Sequence, residues 1–391
     1  MSLPARRAVI VDIVRTASGR GRPGGALNGV HPATLLANVL SALVGRTGVD
    51  PGQIDDVIAG CVGQVGDQSS NIARTALLAA GFPVSVPGTS IDRQCGSSQQ
   101  AVHFAAQGII AGAYDIAIAC GVESMSRVPL GSAARQSHPH GPLSERFPSL
   151  PHQGIGAELI AARWKFGRDD VDVYAARSHA RAAATDFGAE IIPVMLPDGS
   201  PHTVDETVRP STTAGVLATL PPAFRDEQLG AYYPEINWVI TPGNSSPLTD
   251  GAAAALLMSE EKATQLGLNP RARIHAVAVV GSDPEIMLTG PIPATHKILE
   301  RTGLSIDDID AYEVNEAFAP VPMAWAAEFH ADPAKLNPRG GAIALGHPLG
   351  GSGTRLMTTL VNHLEETGGR YGLQTMCEGG GLANATIIER L

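Results

Sequence analysis

The segment Gly48-Val-Asp-Pro-Gly-Gln-Ile-Asp-Asp-Val-Ile58 has a counterpart 255 residues later, Gly303-Leu-Ser-Ile-Asp-Asp-Ile-Asp-Ala-Tyr-Glu313. At this offset, glycine aligns with glycine at the first position, isoleucine with isoleucine at the seventh and aspartate with aspartate at the eighth. Each copy is typical of a turn that leaves a helix at a glycine and enters an apolar strand. The repetition indicates that one structural unit occurs twice in the chain.

A second, shorter match follows in the same order. The segment Asp115-Ile-Ala-Ile-Ala-Cys-Gly121 resembles Gly372-Leu-Gln-Thr-Met-Cys-Glu378 at an offset of 257. Two matches that agree in order and nearly in offset indicate an internal duplication. Because strands alternate with helices around both copies, we predict an α/β protein of two similar halves, each with a mixed sheet, packed as one molecule.

The sequence between the two copies has a different character. From Arg127 to about Val239 it contains stretches rich in Pro, His and Ser, and a helical patch from Gly154 to about Phe187. A stretch of roughly 110 residues exceeds any ordinary loop. We therefore predict a loop subdomain at 127–240, inserted in an N-terminal half formed by 1–126 and 241–268, and a C-terminal half at 269–391.

The composition is that of a large enzyme with a buried core. The 391 residues are 44% hydrophobic and 17% charged, which suits two or three domains. A formal net charge of −10 gives no reason to expect a nucleic acid or an anionic membrane as partner. No apolar run of about 18 residues predicts membrane insertion, and residues 1–15 lack the pattern of a signal peptide. The expected location is the cytoplasm.

The four cysteines are Cys61, Cys95, Cys120 and Cys377. Their spacing fits no zinc site, so no metal is expected, and each is by default a small core residue. Cys95 differs because a helical apolar stripe follows its segment Gln94-Cys-Gly-Ser-Ser. A helix N-terminus stabilises a thiolate, which predicts a pKa of Cys95 lowered toward neutrality. The alternative is a buried core cysteine at a turn.

Three other polar residues lie on turns at the ends of apolar segments. Cys377 runs into three glycines, which suit either a backbone donor site or a plain turn. His347 lies between Gly346 and Pro348 on a rigid turn, which favours a catalytic role. The alternative is a structural histidine. Asn315 follows a strand at a position where α/β folds hold ligands, or else it caps the next helix.

Two thiols, an imidazole and an amide on such turns predict nucleophilic acyl transfer with a separate proton shuttle. No phosphate-binding loop and no dinucleotide fingerprint follows a predicted strand, so neither ATP nor NAD is implied.

The chain resembles the thiolase family over nearly its whole length. The matching segments, in order, are Arg15-Thr, Gln94-Cys-Gly-Ser-Ser, Gly121-Val-Glu-Ser-Met-Ser, Gly243-Asn-Ser-Ser with Asp250-Gly-Ala-Ala-Ala, Asn315-Glu-Ala-Phe, Gly346-His-Pro-Leu-Gly and Cys377-Glu-Gly-Gly-Gly. The resemblance implies duplicated α/β halves with mixed sheets, packed as a layered αβαβα core. It also implies thiolytic cleavage of a 3-oxoacyl-CoA to acetyl-CoA, or a related short acyl-CoA, and a shortened acyl-CoA. No permanently bound cofactor is implied, and CoA is a co-substrate.

The resemblance assigns roles at the matching positions. Cys95, activated by His347, would attack the 3-oxo carbon and carry the acyl group. Cys377 would protonate the departing enolate and then take the proton of the incoming CoA. The enolate oxygen would meet His347 and a water held on Asn315, and the second oxyanion would meet the backbone N–H groups of Cys95 and Gly379.

The resemblance also implies contacts with the CoA thioester. The residues concerned are Ser246, His152, Phe318, Gln153 at the acyl pocket and Arg209 at the nucleotide end. Two positions depart from the family. Asp92 stands where Asn, Ser or Thr is usual, and Gln153 stands where a methionine is usual, so the substrate stays open.

The segments Gly368–Gly381 and Thr289–Thr295 resemble actinobacterial degradative thiolases, some of which serve steroid or other ring breakdown. Fatty-acid or steroid catabolism is therefore expected, and the alternative is a biosynthetic acetoacetyl-CoA thiolase running the Claisen condensation. A decarboxylating condensing enzyme would not need Cys377, and a non-catalytic relative would have lost Cys95, His347 or Cys377. Thiolases associate through the nucleophile-bearing half, so a homodimer or homotetramer is expected.

Overall fold

The computed structural model describes residues 6–135, 137, 139–147 and 150–391. The strands are β1 (Ala8–Thr16), β2 (Gly19–Arg20), β3 (Asp56–Gly60), β4 (Gly88–Ile91), β5 (Ile116–Ser124), β6 (Ile191–Ile192), β7 (Val194–Met195), β8 (Pro201–His202), β9 (Thr249–Ser259), β10 (Ala272–Gly281), β11 (Ala311–Val314), β12 (Tyr371–Glu378) and β13 (Leu382–Arg390). The helices are α1 (Pro32–Thr47), α2 (Ile72–Ala79), α3 (Ser97–Ile110), α4 (Leu143–Arg146), α5 (Gln153–Trp164), α6 (Arg168–Ala183), α7 (Ala214–Leu217), α8 (Glu227–Tyr232), α9 (Glu260–Gln265), α10 (Pro291–Thr302), α11 (Pro320–Phe329), α12 (Ala342–Leu345) and α13 (Ser352–Thr367).

The main strands form two half-sheets of matching order. One runs β4-β3-β5-β9-β1 and the other runs β11-β12-β13-β10. In each, the parallel pairs lie at the outer end and the antiparallel pairs lie toward the middle, where β1 meets β10. The mixed α/β halves predicted from the duplication are therefore present.

The duplication extends to individual hydrogen bonds. The carboxylate of Asp55 accepts from the backbone N–H groups of Asp115 and Ile116 at 2.6 and 3.0 Å. The carboxylate of Asp310 accepts from those of residues 370 and 371 at 2.6 and 2.9 Å. Each aspartate thus ties the start of one strand to the start of its neighbour, and all three pairs of positions differ by 255.

The second sequence match needs a correction. Asp56 lies opposite Ala117 in the first half, and Ala311 lies opposite Gly372 in the second, which again gives an offset of 255. The predicted offset of 257 is wrong by two residues. A slip of two leaves the same side chains on the same face of a strand, so the apolar pattern alone does not reveal it. Cys377 consequently has no cysteine counterpart in the first half.

The halves stack as five layers. Helices α1 and α2 cover the outer face of the first half-sheet, α3 and α13 lie between the two half-sheets, and α10 and α11 cover the outer face of the second. Strands β1, β5 and β9 are buried along their whole length because helices cover both of their faces. A Cβ on Gly353 would lie 2.2 Å from the backbone nitrogen of Gln99, so glycine permits the close contact between α13 and α3.

The segment between β5 and β9 contains α4 to α8 and the β7–β8 ribbon. Its helices α5 and α6 pack in the same apolar cluster as α11, and the carboxylate of Glu158 accepts from the N–H groups of Val239 and Ile240. Arg15 of β1 anchors the segment through buried ion pairs with Glu190 at 2.7 Å and Asp205 at 2.8 Å. None of the helices among the described residues is long and apolar enough to cross a membrane.

Candidate active site

Cys95 lies on the turn that joins β4 to α3. Gly96 is the N-cap of α3, so the thiol directly precedes the helix, as its sequence predicts. Gln94 adopts a φ of 48°, which is uncommon for a residue with a side chain. The Ser97 hydroxyl holds this turn, since it accepts from the Arg93 N–H at 2.9 Å and donates to the Gln94 carbonyl at 2.6 Å. The turn therefore presents a fixed thiol, 9% exposed.

The pKa of the Cys95 thiol departs from the prediction. Burial raises this pKa well above its ordinary value, and the neighbouring Cys377 and Glu378 raise it further, whereas the backbone N–H groups of Cys95 and Gly379 oppose the shift. The expected pKa near neutrality is wrong for the free protein because desolvation outweighs the helix terminus. Cys95 is thus a neutral thiol that needs a base in order to react.

His347 supplies such a base. The Ser352 hydroxyl donates to the Pro348 carbonyl at 2.9 Å, so it accepts from His347 Nδ1 at 2.6 Å. This assigns the proton to Nδ1 and leaves a lone pair on Nε2. Burial lowers the pKa of His347 to about 3, and the positive charge of Arg355 lowers it as well. The imidazole is therefore neutral, and its Nε2 carries no proton.

Asn315 lies beside that nitrogen. Its Nδ2 is 3.4 Å from His347 Nε2, and its backbone N–H donates to the Thr375 carbonyl at 3.1 Å. Its Oδ1 is buried and accepts no hydrogen bond from the described residues. Helix α11 begins at Pro320 with Ala319 as its N-cap, so the alternative that Asn315 caps the next helix is wrong.

Cys377 lies near the end of β12 and is fully buried. Burial raises the pKa of its thiol to about 12, with a further contribution from Glu378, while the Asn315 side chain and the Ala317 backbone favour the thiolate. Asn315 thus faces both Cys377 and His347, and Cys377 lies close enough to Cys95 for their charges to interact. Residues 95, 315, 347, 377 and 379 meet at one place.

Glu123 positions this site, although its sequence context predicts no role for it. Its carboxylate accepts from the N–H groups of Val62, Gly63 and Gly350 at 3.0, 3.0 and 2.9 Å, and from Gln68 Nε2 at 2.7 Å. It thereby fixes the loop that carries the imidazole against the first half-sheet. The segment Gly121-Val-Glu-Ser-Met-Ser was the only sequence signal for it.

Three of the predicted thioester contacts, Ser246, Phe318 and His152, lie together around Phe224. No sequence pattern predicts a role for Phe224. The Ser246 N–H donates to the Ala317 carbonyl at 2.9 Å, next to Phe318. The Phe318 ring lies 5.9 Å from the Phe224 ring, which lies 5.1 Å from the His152 ring, measured between centroids. Phe224 follows a Pro-rich stretch that gave no sign of this position.

The other two predicted contacts, Gln153 and Arg209, are exposed to solvent, as His152 is. Gln153 is the first residue of α5 and is exposed. Arg209 is exposed too, and its backbone N–H donates to His179 Nδ1 on α6 at 3.2 Å. The described contacts of Arg209 therefore link it to α6 and not to the wall around Phe224.

A cavity of about 290 Å³ opens beside the Cys95 turn. Its wall includes Asp92, Gln94, Met125, Val128, Leu130 and Leu349. Leu349 also packs against Cys95, so the cavity borders the residue that would carry an acyl group. Burial raises the pKa of Asp92, one of two acidic side chains in the largely apolar wall. Among the described residues, no cluster of three or more His, Cys, Asp or Glu is arranged to hold a metal ion.

Two family models together span nearly the whole chain. The model described as thiolase, N-terminal domain, matches residues 8–261, and the one described as thiolase, C-terminal domain, matches residues 268–390. The chain belongs to the thiolase family. It is thus an acyltransferase that acts on CoA thioesters, as the sequence resemblance implies.

Curated relatives and a solved structure agree with this assignment. The thiolase is 50% identical over 398 residues to steroid 3-ketoacyl-CoA thiolase FadA6 of Mycobacterium tuberculosis, with 98% of this chain and 94% of the relative covered. It is 43% identical to a 3-ketoacyl-CoA thiolase of Klebsiella pneumoniae, with 98% and 100% covered. A crystal structure of Bacillus anthracis acetyl-CoA acetyltransferase matches with a TM-score of 0.88 at 38% identity and covers 99% of both chains. The predicted fold class is confirmed.

Proposed function

We propose that this thiolase cleaves a 3-oxoacyl-CoA in the degradative direction, with Cys95 as the acyl carrier. The observation that carries the proposal is the meeting of two buried thiols, Cys95 and Cys377, with a neutral His347 and the amide of Asn315. Carbon–carbon cleavage by thiolysis needs both a nucleophile and a separate proton donor, and two thiols can supply them.

In the first step, His347 Nε2 takes the proton of Cys95 as the sulfur attacks the 3-oxo carbon. Both groups are neutral beforehand, because burial raises the pKa of the thiol and lowers that of the imidazole. Charge therefore develops only when substrate is present. The hydrogen bond from Nδ1 to Ser352 orients the ring for this transfer and stabilises the imidazolium that results.

In the second step, the bond between Cα and Cβ breaks and acetyl-CoA leaves as its enolate. Cys377 is protonated at neutral pH because burial raises its pKa to about 12, so it can donate that proton to the enolate carbon. The Cys377 thiolate then takes the proton of incoming CoA, whose sulfur takes the acyl group from Cys95. The Cys95 sulfur leaves as a thiolate and recovers its proton from the His347 imidazolium. The enolate oxygen would meet His347 and a water held on Asn315. The second oxyanion would accept from the backbone N–H groups of Cys95 and Gly379, and such a donor contributes about 3 kcal/mol.

For the acyl group, we propose the cavity beside Cys95 as its binding site and steroid-derived or other bulky 3-oxoacyl groups as its occupants. The support is the apolar wall next to the nucleophile together with the 50% identity to a protein named steroid 3-ketoacyl-CoA thiolase. Ser246, His152 and Phe318 would contact the thioester along the wall around Phe224, with Gln153 beside them and Arg209 at the nucleotide end.

Filling the cavity tests this binding site. Leu130→Trp adds an indole to a partly exposed wall position, so kcat/KM for ring-bearing substrates should fall at least tenfold (about 1.4 kcal/mol). The value for acetoacetyl-CoA should stay within about threefold. Met195→Trp, at an exposed position of the β7–β8 ribbon, is the matched control and should change neither value. An equal loss for short and bulky substrates would contradict the assignment of the cavity.

The reaction itself is tested by CoA-dependent loss of the 3-oxoacyl-CoA enolate absorbance over a panel of substrates. The panel runs from acetoacetyl-CoA through long-chain to ring-bearing thioesters. A higher kcat/KM for bulky substrates than for acetoacetyl-CoA supports the degradative proposal. Turnover of acetoacetyl-CoA alone would instead support the biosynthetic alternative, to which the match with an acetyl-CoA acetyltransferase lends weight.

We also propose a homodimer or homotetramer in the cytoplasm, with CoA thioesters as substrates and no permanently bound cofactor. Strand β4, four residues before Cys95, is the outer strand of the first half-sheet and is partly exposed. An open strand edge pairs readily with another chain. This supports association through the nucleophile-bearing half. The domain boundaries stay a proposal as well.

A further inference from the structure

Glu378 is a buried carboxyl that the proposed mechanism does not use. It follows Cys377 as the last residue of β12 and is 0% exposed. Within the described residues, neither of its oxygens accepts a hydrogen bond, and the same holds for Oδ1 of Asn384 on β13. Buried acceptors without donors are rare, so this pair calls for a physical reason.

The two orphaned acceptors meet at the backbone of Gly96. A Cβ built on Gly96 would lie 1.9 Å from Glu378 Oε1 and 2.7 Å from Asn384 Oδ1. Both oxygens therefore surround one point next to the nucleophile. The Nδ2 of Asn384 already donates to the Gly96 carbonyl at 3.2 Å, so its Oδ1 is the atom that remains free. A proton on Glu378 would provide the missing donor.

The charged side chains around Glu378 are one acidic neighbour, Asp92, and one basic neighbour, Arg93. Burial raises the pKa of Glu378 to about 8, Arg93 and the nearby Asn384 backbone N–H lower it, and Asp92 raises it. In return, a negative charge on Glu378 raises the pKa values of the Cys95 and Cys377 thiols. The carboxyl is thus mostly protonated at pH 7, and its ionised form opposes negative charge at both sulfurs.

We propose that Glu378 is a positioning residue whose protonated carboxyl donates a hydrogen bond to Asn384 Oδ1, holds the Gly96 backbone and keeps negative charge away from both thiols. The proposal rests on the roles inferred above for Cys95 and Cys377. As pH rises through about 8, Glu378 loses its proton. The resulting carboxylate opposes the Cys95 thiolate and the oxyanion at the Cys95 and Gly379 N–H groups.

The test is the pH dependence of Cys95 alkylation by iodoacetamide between about pH 6 and 10, followed by mass spectrometry of its peptide. Glu378→Gln keeps a donor for Asn384 but removes the charge. The midpoint of its alkylation profile should therefore lie at lower pH than that of the protein with Glu378. Near pH 9 its rate of alkylation should be on the order of tenfold higher. Superimposed profiles would show that the charge of Glu378 does not change the pKa of the Cys95 thiol, and this result would overturn the proposal.

Glu313 offers a matched control. It is buried on β11, both of its oxygens also lack donors among the described residues, and burial raises its pKa to about 8 as well. Its charged neighbours are Arg355, Glu316, Glu190 and Arg339, and no thiol is among them. Glu313→Gln should leave the alkylation profile of Cys95 unchanged. An equal shift in this variant would overturn a specific role for Glu378.

The hydrogen-bond part of the proposal is tested separately by kcat at pH 7. Glu378→Gln should stay within about threefold of the unmodified protein, whereas Glu378→Ala should lose at least tenfold because it leaves Asn384 Oδ1 without a donor. Equal kcat values for the two variants would show that the hydrogen bond from Glu378 to Asn384 Oδ1 does not contribute to turnover. Alkylation needs no turnover, so a shifted profile without thiolysis would leave the inference standing and refute the proposed function instead.

Discussion

Replacing Cys95 with alanine is expected to lower the rate of thiolysis by at least about 10⁴-fold, the scale seen when a nucleophile is removed. The fold should persist, because the apolar cluster around the thiol is small and consists of Leu356, Met376 and Leu349. Loss of 3-oxoacyl-CoA enolate absorbance measures the rate, and circular dichroism measures the fold.

Cys120→Ala is the matched control for this experiment. Its thiol is equally a buried cysteine but lies in β5, inside the apolar cluster of the first half. It should cost on the order of 1 kcal/mol of stability and leave kcat/KM within about twofold. If Cys95→Ala kept more than about one per cent of the activity, Cys95 would not be the acyl carrier and the mechanism would need another nucleophile.

Cys377→Ala is expected to separate the two halves of the reaction. Cys95 should still accept an acyl group from an activated thioester, because its activation by His347 Nε2 does not involve Cys377. Cleavage of a 3-oxoacyl-CoA should fall by at least about 10³-fold, since the enolate loses its proton donor. Intact-mass measurement of the acyl adduct reports the first step, and enolate absorbance reports the second.

Two results would contradict the assignment of separate roles to Cys95 and Cys377. Normal cleavage by Cys377→Ala would show that the proton reaches the enolate from elsewhere. Failure to acylate Cys95 would show that the two thiols act as one unit, an outcome that their electrostatic interaction makes worth checking. Cys120→Ala serves again as the control, and it should behave as the unmodified protein in both measurements.

Several features of the fold follow from short stretches of sequence. The repeated glycines at 48 and 303 both end a helix with a φ near 70°, at 68° and 72°. Both copies then enter a strand, β3 or β11, that pairs in parallel with the strand at the matching position, β5 or β12. The helical stripe after Cys95 likewise fixed the thiol at the start of α3. Such features depend on neighbours along the chain, namely periodicity and capping, which a sequence displays directly.

Register and protonation were harder to predict. The predicted offset of the second repeat was wrong by two residues, because the apolar pattern of a strand is the same after a shift of two residues. The pKa of Cys95 came out in the wrong direction because the helix terminus is visible in the sequence, whereas burial beside Cys377 and Glu378 is not. Glu123 and Phe224 escaped notice for the same reason, since their partners come from distant segments.

The sequence by itself therefore determined the duplicated α/β architecture and the family, and it predicted five residues for acyl transfer, because motifs and periodicity are local properties. Tertiary structure alone decided which groups meet, which nitrogen of His347 is free and which thiols stay protonated. Those outcomes depend on desolvation and on hydrogen bonds between segments up to 288 residues apart, as between Gly96 and Asn384. Desolvation and hydrogen bonds of this kind exist only in the folded protein, so no local pattern in the sequence shows them.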